Sequence, residues 1–343
     1  MTFTIIEMVL SLAAILGAAT VFTNAIEILG QRLNLGEGSV GSILAAVGTA
    51  MPETMIPVVA IVGAALAGEG AGEAAGEIGI GAILGAPFLL ATLAMFVIGV
   101  SVLAFRRSRE NGTNVVIDKK VAGQDLAFFF VCFAIAAGAG IVELPTYVKV
   151  VVAILLVVAY AVYVYRTIMA GGESEEEGPN DLTLWPESRW GQAPTWAVVA
   201  QVLGTLVVMG AGAHFFVQAV ESASEAIGIP AGLIALVLAP LATELPEKFN
   251  SILWLREDKD TLAFGNITGA MVFQSTLPVS LGLLFTQWQL DFINTVAVIL
   301  ALVGGAFVFA LLLRKGPLSG PLLLSGGVLY VAFLAVAVYT LAV

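Results

Sequence analysis

Histidine and cysteine are nearly missing from this chain. Among 343 residues there is one of each, His214 and Cys132. A single cysteine excludes an intrachain disulfide and a cysteine-based metal cluster, and a single histidine excludes a histidine cluster. Charge is scarce as well: Asp, Glu, Lys and Arg make up 11% of the residues. With 14 basic residues against 25 acidic ones, there is no basic patch of the kind that nucleic-acid binding requires. No Gly-x-x-x-x-Gly-Lys loop is present, which argues against an ATP-driven pump. The apolar stretches hold no Asp pair, Ser/His dyad or His-rich metal site, so an intramembrane enzyme is a distant alternative.

What the chain has in excess is apolar surface. Hydrophobic residues account for 59% of it, and the mean hydropathy is +1.00. A soluble domain of this length cannot hide so much, so the composition predicts a polytopic membrane protein. The apolar runs do not alternate with a period of two. They read as helices, making the fold class all-α. The opening stretch "MTFTIIEMVL" has no basic region and no small-residue cleavage pattern, and is expected to be the first helix.

Apolar windows between polar breaks predict ten transmembrane helices, over residues 4–30, 38–67, 78–105, 125–142, 146–169, 194–221, 230–255, 261–286, 290–313 and 318–342. The longest polar interruption follows the fifth. It divides the chain into a first five-helix repeat (1–170), an acidic linker (171–193) and a second five-helix repeat (194–343). If the N-terminus is outside, the inner connections hold Arg32, the Arg106–Lys120 group, Arg166, Arg189, Arg256, Lys259, Arg314 and Lys315. The outer ones then hold only Lys149. The positive-inside rule therefore predicts both termini extracytoplasmic in a cell membrane, with the linker inside and the second repeat inverted.

An internal repeat accompanies that inversion. At an offset of 194, residues 25–53 lie over 219–247 without a gap, matching Ala25/Ala219, Glu27/Glu221, Gly38/Gly232, Leu44/Leu238, Ala45/Ala239, Thr49/Thr243, Pro52/Pro246 and Glu53/Glu247. At an offset of 184, "GAILGA" (81–86) lies over "GNITGA" (265–270). The repeated regions run over about 20–105 and 214–286.

A proline inside a helix frees a carbonyl about one turn earlier, near Gly48/Thr49 for Pro52 and near Ala242/Thr243 for Pro246. In hydrocarbon such a carbonyl must face protein, water or an ion. Glu53 and Glu247 follow the prolines, near mid-membrane at 1.5 Å rise per residue. Two carboxylates and freed carbonyls make an all-oxygen set, which suits a hard cation such as Ca²⁺. Kinks beside protonated structural acids are the plainer reading, but paired intramembrane carboxylates favour function. Gly-x-x-x-Gly spacings at Gly81/Gly85 and Gly265/Gly269 predict close helix approach beside the motifs.

The stretches "GTAMPET" and "ATELPEK", each followed by a Gly-x-x-x-Gly helix, resemble the paired α-repeats of the calcium/cation antiporter superfamily, which includes the sodium/calcium exchangers. The resemblance covers the ten-helix plan, and its specific part is about 65 residues per half. It implies a secondary antiporter working by alternating access in the lipid bilayer, with no cofactor, no required protein partner and no enzymatic step. It implies that Glu53 and Glu247 coordinate the divalent cation, Ca²⁺ foremost, and that the Thr49 and Thr243 carbonyls line the site. Glu244, Lys248, Asn266 and Gln274 are further candidates. Exchange of Mg²⁺ or Mn²⁺ for protons is an alternative on the same fold. The chain departs from the family where Ala50 and Glu244 replace a serine, Ala86 and Ala270 replace another, and Leu90 and Gln274 replace Asn or Asp. The resemblance points to Na⁺ as counter-ion. The lost hydroxyls and carboxamides point to H⁺, which buried carboxylates can take up when the metal leaves.

Glu244 and Lys248 are four residues apart with the acid first, the favourable order for a helical ion pair. Three readings stand: a structural pair, an ammonium that replaces a monovalent ion in the empty site, and a lysine that snorkels to water. Glu27 and Glu221 read as solvated helix ends or an entry vestibule. "EGAGEAAGE" (69–77) reads as an outer polar connection, His214 as a hydrogen-bonded helix residue, and "ESEEE" as a solvated linker without EF-hand spacing.

Overall fold

Backbone N–H and C=O groups in hydrocarbon must pair within their own segment, and this chain meets that demand with helices almost throughout. The computed structural model describes residues 2–32, 50–67, 71–142, 144–169, 182–185 and 190–342. The side chains at 30–31, 67, 71–72, 168 and 245–247 lie outside that description.

In chain order the elements are α1 (Thr2–Arg32), α2 (Met51–Ala67), α3 (Ala71–Leu89), a π-helical turn (Leu90–Ala94), α4 (Met95–Phe105), β1 (Asn114–Val115), α5 (Lys119–Ile141), α6 (Thr146–Met169), α7 (Thr195–Ile227), α8 (Ala231–Arg256), α9 (Asp260–Gln274), α10 (Leu277–Phe285), α11 (Phe292–Leu312), β2 (Leu318–Ser319), α12 (Gly320–Leu323) and α13 (Ser325–Ala342). The two short strands pair antiparallel, Asn114 with Ser319 and Val115 with Leu318.

Among the described residues, eight helical stretches are long and apolar enough to cross a membrane: Thr2–Leu29, Glu73–Phe105, Lys119–Ile141, Thr146–Thr167, Thr195–Ile227, Asp260–Phe285, Phe292–Leu312 and Gly320–Ala342. They coincide with eight of the expected spans. The other two are represented by shorter apolar stretches, Met51–Leu66 and Ala231–Glu244. Residues 38–49 of one lie outside the described residues. The other belongs to a helix of 26 residues, whose apolar run ends at the charged turn Glu244–Lys248.

The chain forms two compact units, Met1–Ala75 with Ala161–Gly228, and Gly76–Tyr160 with Ile229–Val343. Each therefore mixes pieces of both sequence halves. In the first, α1 lies along α7, and small residues let the two backbones approach. A Cβ at Gly212 of α7 would meet Ile15 Cγ1 at 2.9 Å and the Ser11 carbonyl at 3.1 Å. Ala18, Ala19, Phe22, Ala25 and Ile28 of α1 close a core with Ala197, Val198, Val202 and Met209 of α7. Linker residue Leu182 joins this core, and Asn24 and Gln201 hold its neighbours by accepting from the backbone N–H groups of Thr183 and Leu184. Gly228, at φ +70°, ends α7 in the left-handed conformation that glycine adopts without strain.

In the second unit α5 packs on α9 and α11, α4 on α8 and α12, and α11 on α13. Asp118 caps α5 by accepting from Lys120 N and Val121 N, and Asp291 caps α11 by accepting from Asn294 N. Lys149, the lone basic residue assigned to the outer side, is buried. Its ammonium donates to the carbonyls of Gln287 and Trp288.

Four expectations change here. Helix α5 begins at Lys119 rather than near 125, because the Asp118 cap starts a helix that its charged first turn conceals. Helix α7 runs six residues past 221, to Ile227, with Gly228 as its cap. Glu73 and Glu77 lie in the first turns of α3 rather than in a loop, with Glu69 outside the described residues. The expected span 261–286 is broken at Ser275–Thr276, where Pro278 starts a new helix and the two hydroxyls donate to Val272 O and Phe273 O.

Candidate functional site

The first motif sits at the start of α2. Pro52 falls in its opening turn, where the missing N–H costs nothing. Met51 and Met55, one turn apart, pack against the α1–α7 core. Glu53 lies roughly opposite them on the helix and joins a buried stripe with Ile56, Pro57 and Ala60. Its residual exposure is 7%. Pro57 is a second proline that the motif reading passed over. Lacking an N–H, it offers no helical donor to the carbonyl four residues back, that of Glu53 itself. Thr49 lies outside the described residues.

The second motif lies deep in α8, and the helix continues through both Pro240 and Pro246. Thr243 is buried, and its hydroxyl donates back to Ala239 O at 3.1 Å. The charged residues resolve into a stripe. Glu244, Lys248, Ser251 and Leu255, spaced i, i+4, i+7 and i+11, share one face and are all buried. Phe249, Asn250, Leu253 and Arg256 turn outward. Lys248 Nζ stands 3.0 Å from Glu244 Oε2, with the two side chains 2% and 1% exposed. The expected ion pair is therefore formed, and a snorkelling lysine is excluded. Removing one partner of such a pair leaves a buried charge at a cost of about 3–5 kcal/mol. The side chain of Glu247 is outside the described residues, though its backbone is part of α8.

A neighbouring helix and the turn that follows α4 hold this stripe. On α9, Asn266 Nδ2 donates to Ser251 Oγ at 3.2 Å. At the end of the stripe, the Leu255 carbonyl accepts from the Arg109 guanidinium. Arg109 itself grips Asp260, the first residue of α9, through Nη1–Oδ1 and Nη2–Oδ2 contacts of 2.8 Å each, and both side chains are fully buried. Asp260 also accepts from Val116 N.

Helix α3 crosses α8 nearer its start. A Cβ at Gly81 would fall on the Gly232 carbonyl, and one at Gly85 on the Leu236 carbonyl and, at 2.7 Å, on Pro240 Cγ. Pro240 is the residue that would otherwise have supplied the helical donor to that Leu236 carbonyl. The first Gly-x-x-x-Gly thus does what its spacing predicts. The second does not: Gly265 and Gly269 have open space at their Cβ positions among the described residues.

The offset of 184 sets Leu90 over Gln274, and the backbone is irregular at both. Leu90 opens the π-helical turn, and Gln274, buried, closes α9 at the break before α10. Such interruptions free carbonyls and recur at functional sites.

One intramembrane carboxylate escaped the sequence reading. Asp125 of α5 is buried and accepts the Thr268 hydroxyl of α9 at 2.7 Å. It lies on the face of α9 away from Asn266 and Ser251, two residues around the helix. The expected start of the span at 125 had placed it at a membrane boundary; the Asp118 cap was the signal that it sits six residues inside the helix. His214 faces outward on α7.

The chain is similar to known proteins in sequence and in fold. The pattern of the family described as sodium/calcium exchanger protein matches residues 3–169 and 197–343. A vacuolar cation/proton exchanger 2 from Oryza sativa subsp. japonica is 25% identical over 123 residues, 34% of this chain and 27% of that protein. The crystal structure of the H⁺/Ca²⁺ exchanger CAX superposes with a TM-score of 0.71 at 19% identity, covering 97% of this chain and 81% of that one. The sodium-calcium exchanger NCX_Mj superposes with a TM-score of 0.57 at 17% identity, covering 97% and 98%. The chain's match to the rice protein spans about a quarter of that relative's length.

Proposed function

The chain belongs to the sodium/calcium exchanger protein family, and we propose that it is a secondary active antiporter carrying a divalent cation, Ca²⁺ foremost, against Na⁺ or H⁺ by alternating access. The observation that carries this reading is the Thr-x-x-Pro-Glu sequence repeated in both halves, with Glu53 in the buried stripe of α2 and Glu247 in the charged turn of α8. In this reading Glu53 and Glu247 hold the ion, the Thr49 and Thr243 carbonyls complete an oxygen shell, and ten spans form two inverted five-helix repeats with both termini extracytoplasmic in a cell membrane.

The physics of exchange follows from the charge. Two uncompensated carboxylates at membrane depth are expensive. A carrier holding them reorients at least cost when the charge is balanced, either by one divalent ion or by two monovalent ones. That condition makes the protein an exchanger and not a leak. Two observations support H⁺ as the counter-ion: the relatives named as cation/proton and H⁺/Ca²⁺ exchangers, and the apolar Ala86, Ala270 and Leu90 where sodium ligands would stand. The family description supports Na⁺.

The test is ⁴⁵Ca²⁺ uptake into proteoliposomes of the pure protein without ATP, driven in parallel by an outward Na⁺ gradient and by a pH gradient. Uptake under one gradient identifies the counter-ion. No uptake under either overturns the antiporter reading.

A further inference from the structure

A charged pair buried in a membrane helix calls for an explanation other than stability. Exchanging a buried ion pair for apolar residues of similar volume is often neutral or stabilising. In its first turns α8 fills its buried positions with apolar residues, Ala231, Ile234, Ala235, Leu236 and Ala239. Yet at the motif turn it carries Glu244 and Lys248, with Lys248 Nζ 3.0 Å from Glu244 Oε2 and neither side chain more than 2% exposed. Arg256, two turns further along, does turn outward, so the same helix shows what a solvent-seeking cation does. Lys248 instead stays in the packed stripe.

We propose that Lys248 is a tethered cation that takes the place of one bound monovalent ion, and thereby sets the ion requirement of the exchange. The proposal rests on the reading that Glu53 and Glu247 hold the divalent ion. An ammonium carries one positive charge and three hydrogen-bond donors on a flexible stem, which is what a bound monovalent cation offers to carboxylates. Glu244 adds a third negative charge to those of Glu53 and Glu247. Glu53, Glu244 and Glu247 with Lys248 sum to two negative charges, which one divalent ion neutralises alone. Without Lys248 the same carboxylates sum to three, and a divalent ion would leave one charge for a co-bound monovalent ion.

The experiment is ⁴⁵Ca²⁺/Ca²⁺ self-exchange in proteoliposomes, with equal Ca²⁺ on both sides, choline as the only other cation and a fixed alkaline pH. No counter-ion gradient is involved. Wild-type protein should exchange label without stimulation by added Na⁺ or K⁺. Lys248→Met should fall by about tenfold or more in choline and recover when Na⁺ or K⁺ is added, because the buried third charge is then balanced. Glu244→Gln/Lys248→Met, again at two negative charges, should exchange in choline to within about threefold of wild type. A merely structural pair would also show rescue of protein yield by the double variant, but would not create a monovalent requirement in the single one.

Lys248→Met exchange that no monovalent ion stimulates overturns the proposal, as does a double variant that keeps the requirement. Should Lys248→Met not be recovered folded, Glu244→Gln decides. With one net negative charge its apparent Ca²⁺ affinity should weaken by about tenfold or more, with the double variant restoring it. Wild-type affinity in Glu244→Gln, or a double variant as weak as the single, overturns the proposal. Wild-type protein that moves no Ca²⁺ overturns the antiporter reading itself, so the two failures are distinct.

Discussion

Thr268 donates its hydroxyl to Asp125 at 2.7 Å, joining α9 to α5 through a bond that is buried on both sides. Leaving a buried acceptor without its donor costs about 1–3 kcal/mol. Thr268→Val should therefore lower the thermal midpoint in detergent by several degrees. Asp125→Asn, which keeps an acceptor for the hydroxyl, should cost less than Asp125→Ala. Equal losses for Asn and Ala would show that the hydroxyl bond is not what Asp125 supplies.

Glu53→Gln and Glu247→Gln should each nearly abolish divalent transport while leaving the folded protein intact. In the proposed site each would remove half of the charge that offsets a divalent ion. Flux into proteoliposomes, paired with a size-exclusion profile, is the measurement. Normal flux in either variant would remove that residue from the site.

The two glycine pairs should respond oppositely to the same change. Gly85→Ala sets a methyl group on the Leu236 carbonyl, a backbone atom that cannot step aside. Overpacking of this kind costs about 1–3 kcal/mol. Gly269→Ala enters open space among the described residues and gains helix propensity, so it should be neutral or slightly stabilising. Thermal midpoints of the two variants, measured side by side, decide it.

Arg109→Ala should be among the most damaging changes outside the motifs. It leaves the Asp260 carboxylate buried without its bidentate partner, a loss of about 3–5 kcal/mol. Arg109→Lys should recover little, because one ammonium cannot grip both carboxylate oxygens and reach the carbonyls of Gly112, Asn114 and Leu255 as well. A Lys variant with wild-type stability would show that charge alone matters there.

Helix identity was legible because lipid permits few alternatives: an apolar run of sufficient length must be a helix. The motif turns stand out in the sequence because Thr, Pro and Glu recur at one offset. The i, i+4 spacing of Glu244 and Lys248 was enough to foresee their contact. What stayed hidden depends on neighbours that a periodicity does not name. Gly81 and Gly265 have the same local pattern, yet only Gly81 meets a backbone. Asp125 looked like a boundary residue because the charged turn before it, Lys119 and Lys120, masks the continuing helix. The break at Ser275–Thr276 is written in Pro278, but the apolar window runs over it without a dip.

The stripe on α8 is fixed at more than one height: Ser251 is held by Asn266, and the Leu255 carbonyl by Arg109. Such a helix can tilt or slide with its neighbours, but it is barred from rolling about its own axis. Successive residues are set 100° apart, so a roll of that size would carry Lys248 out of the packed face and bring an outward-facing position such as Phe249 in. The orientation of the motif is therefore keyed at the Arg109 end of the helix, about 10 Å from Lys248.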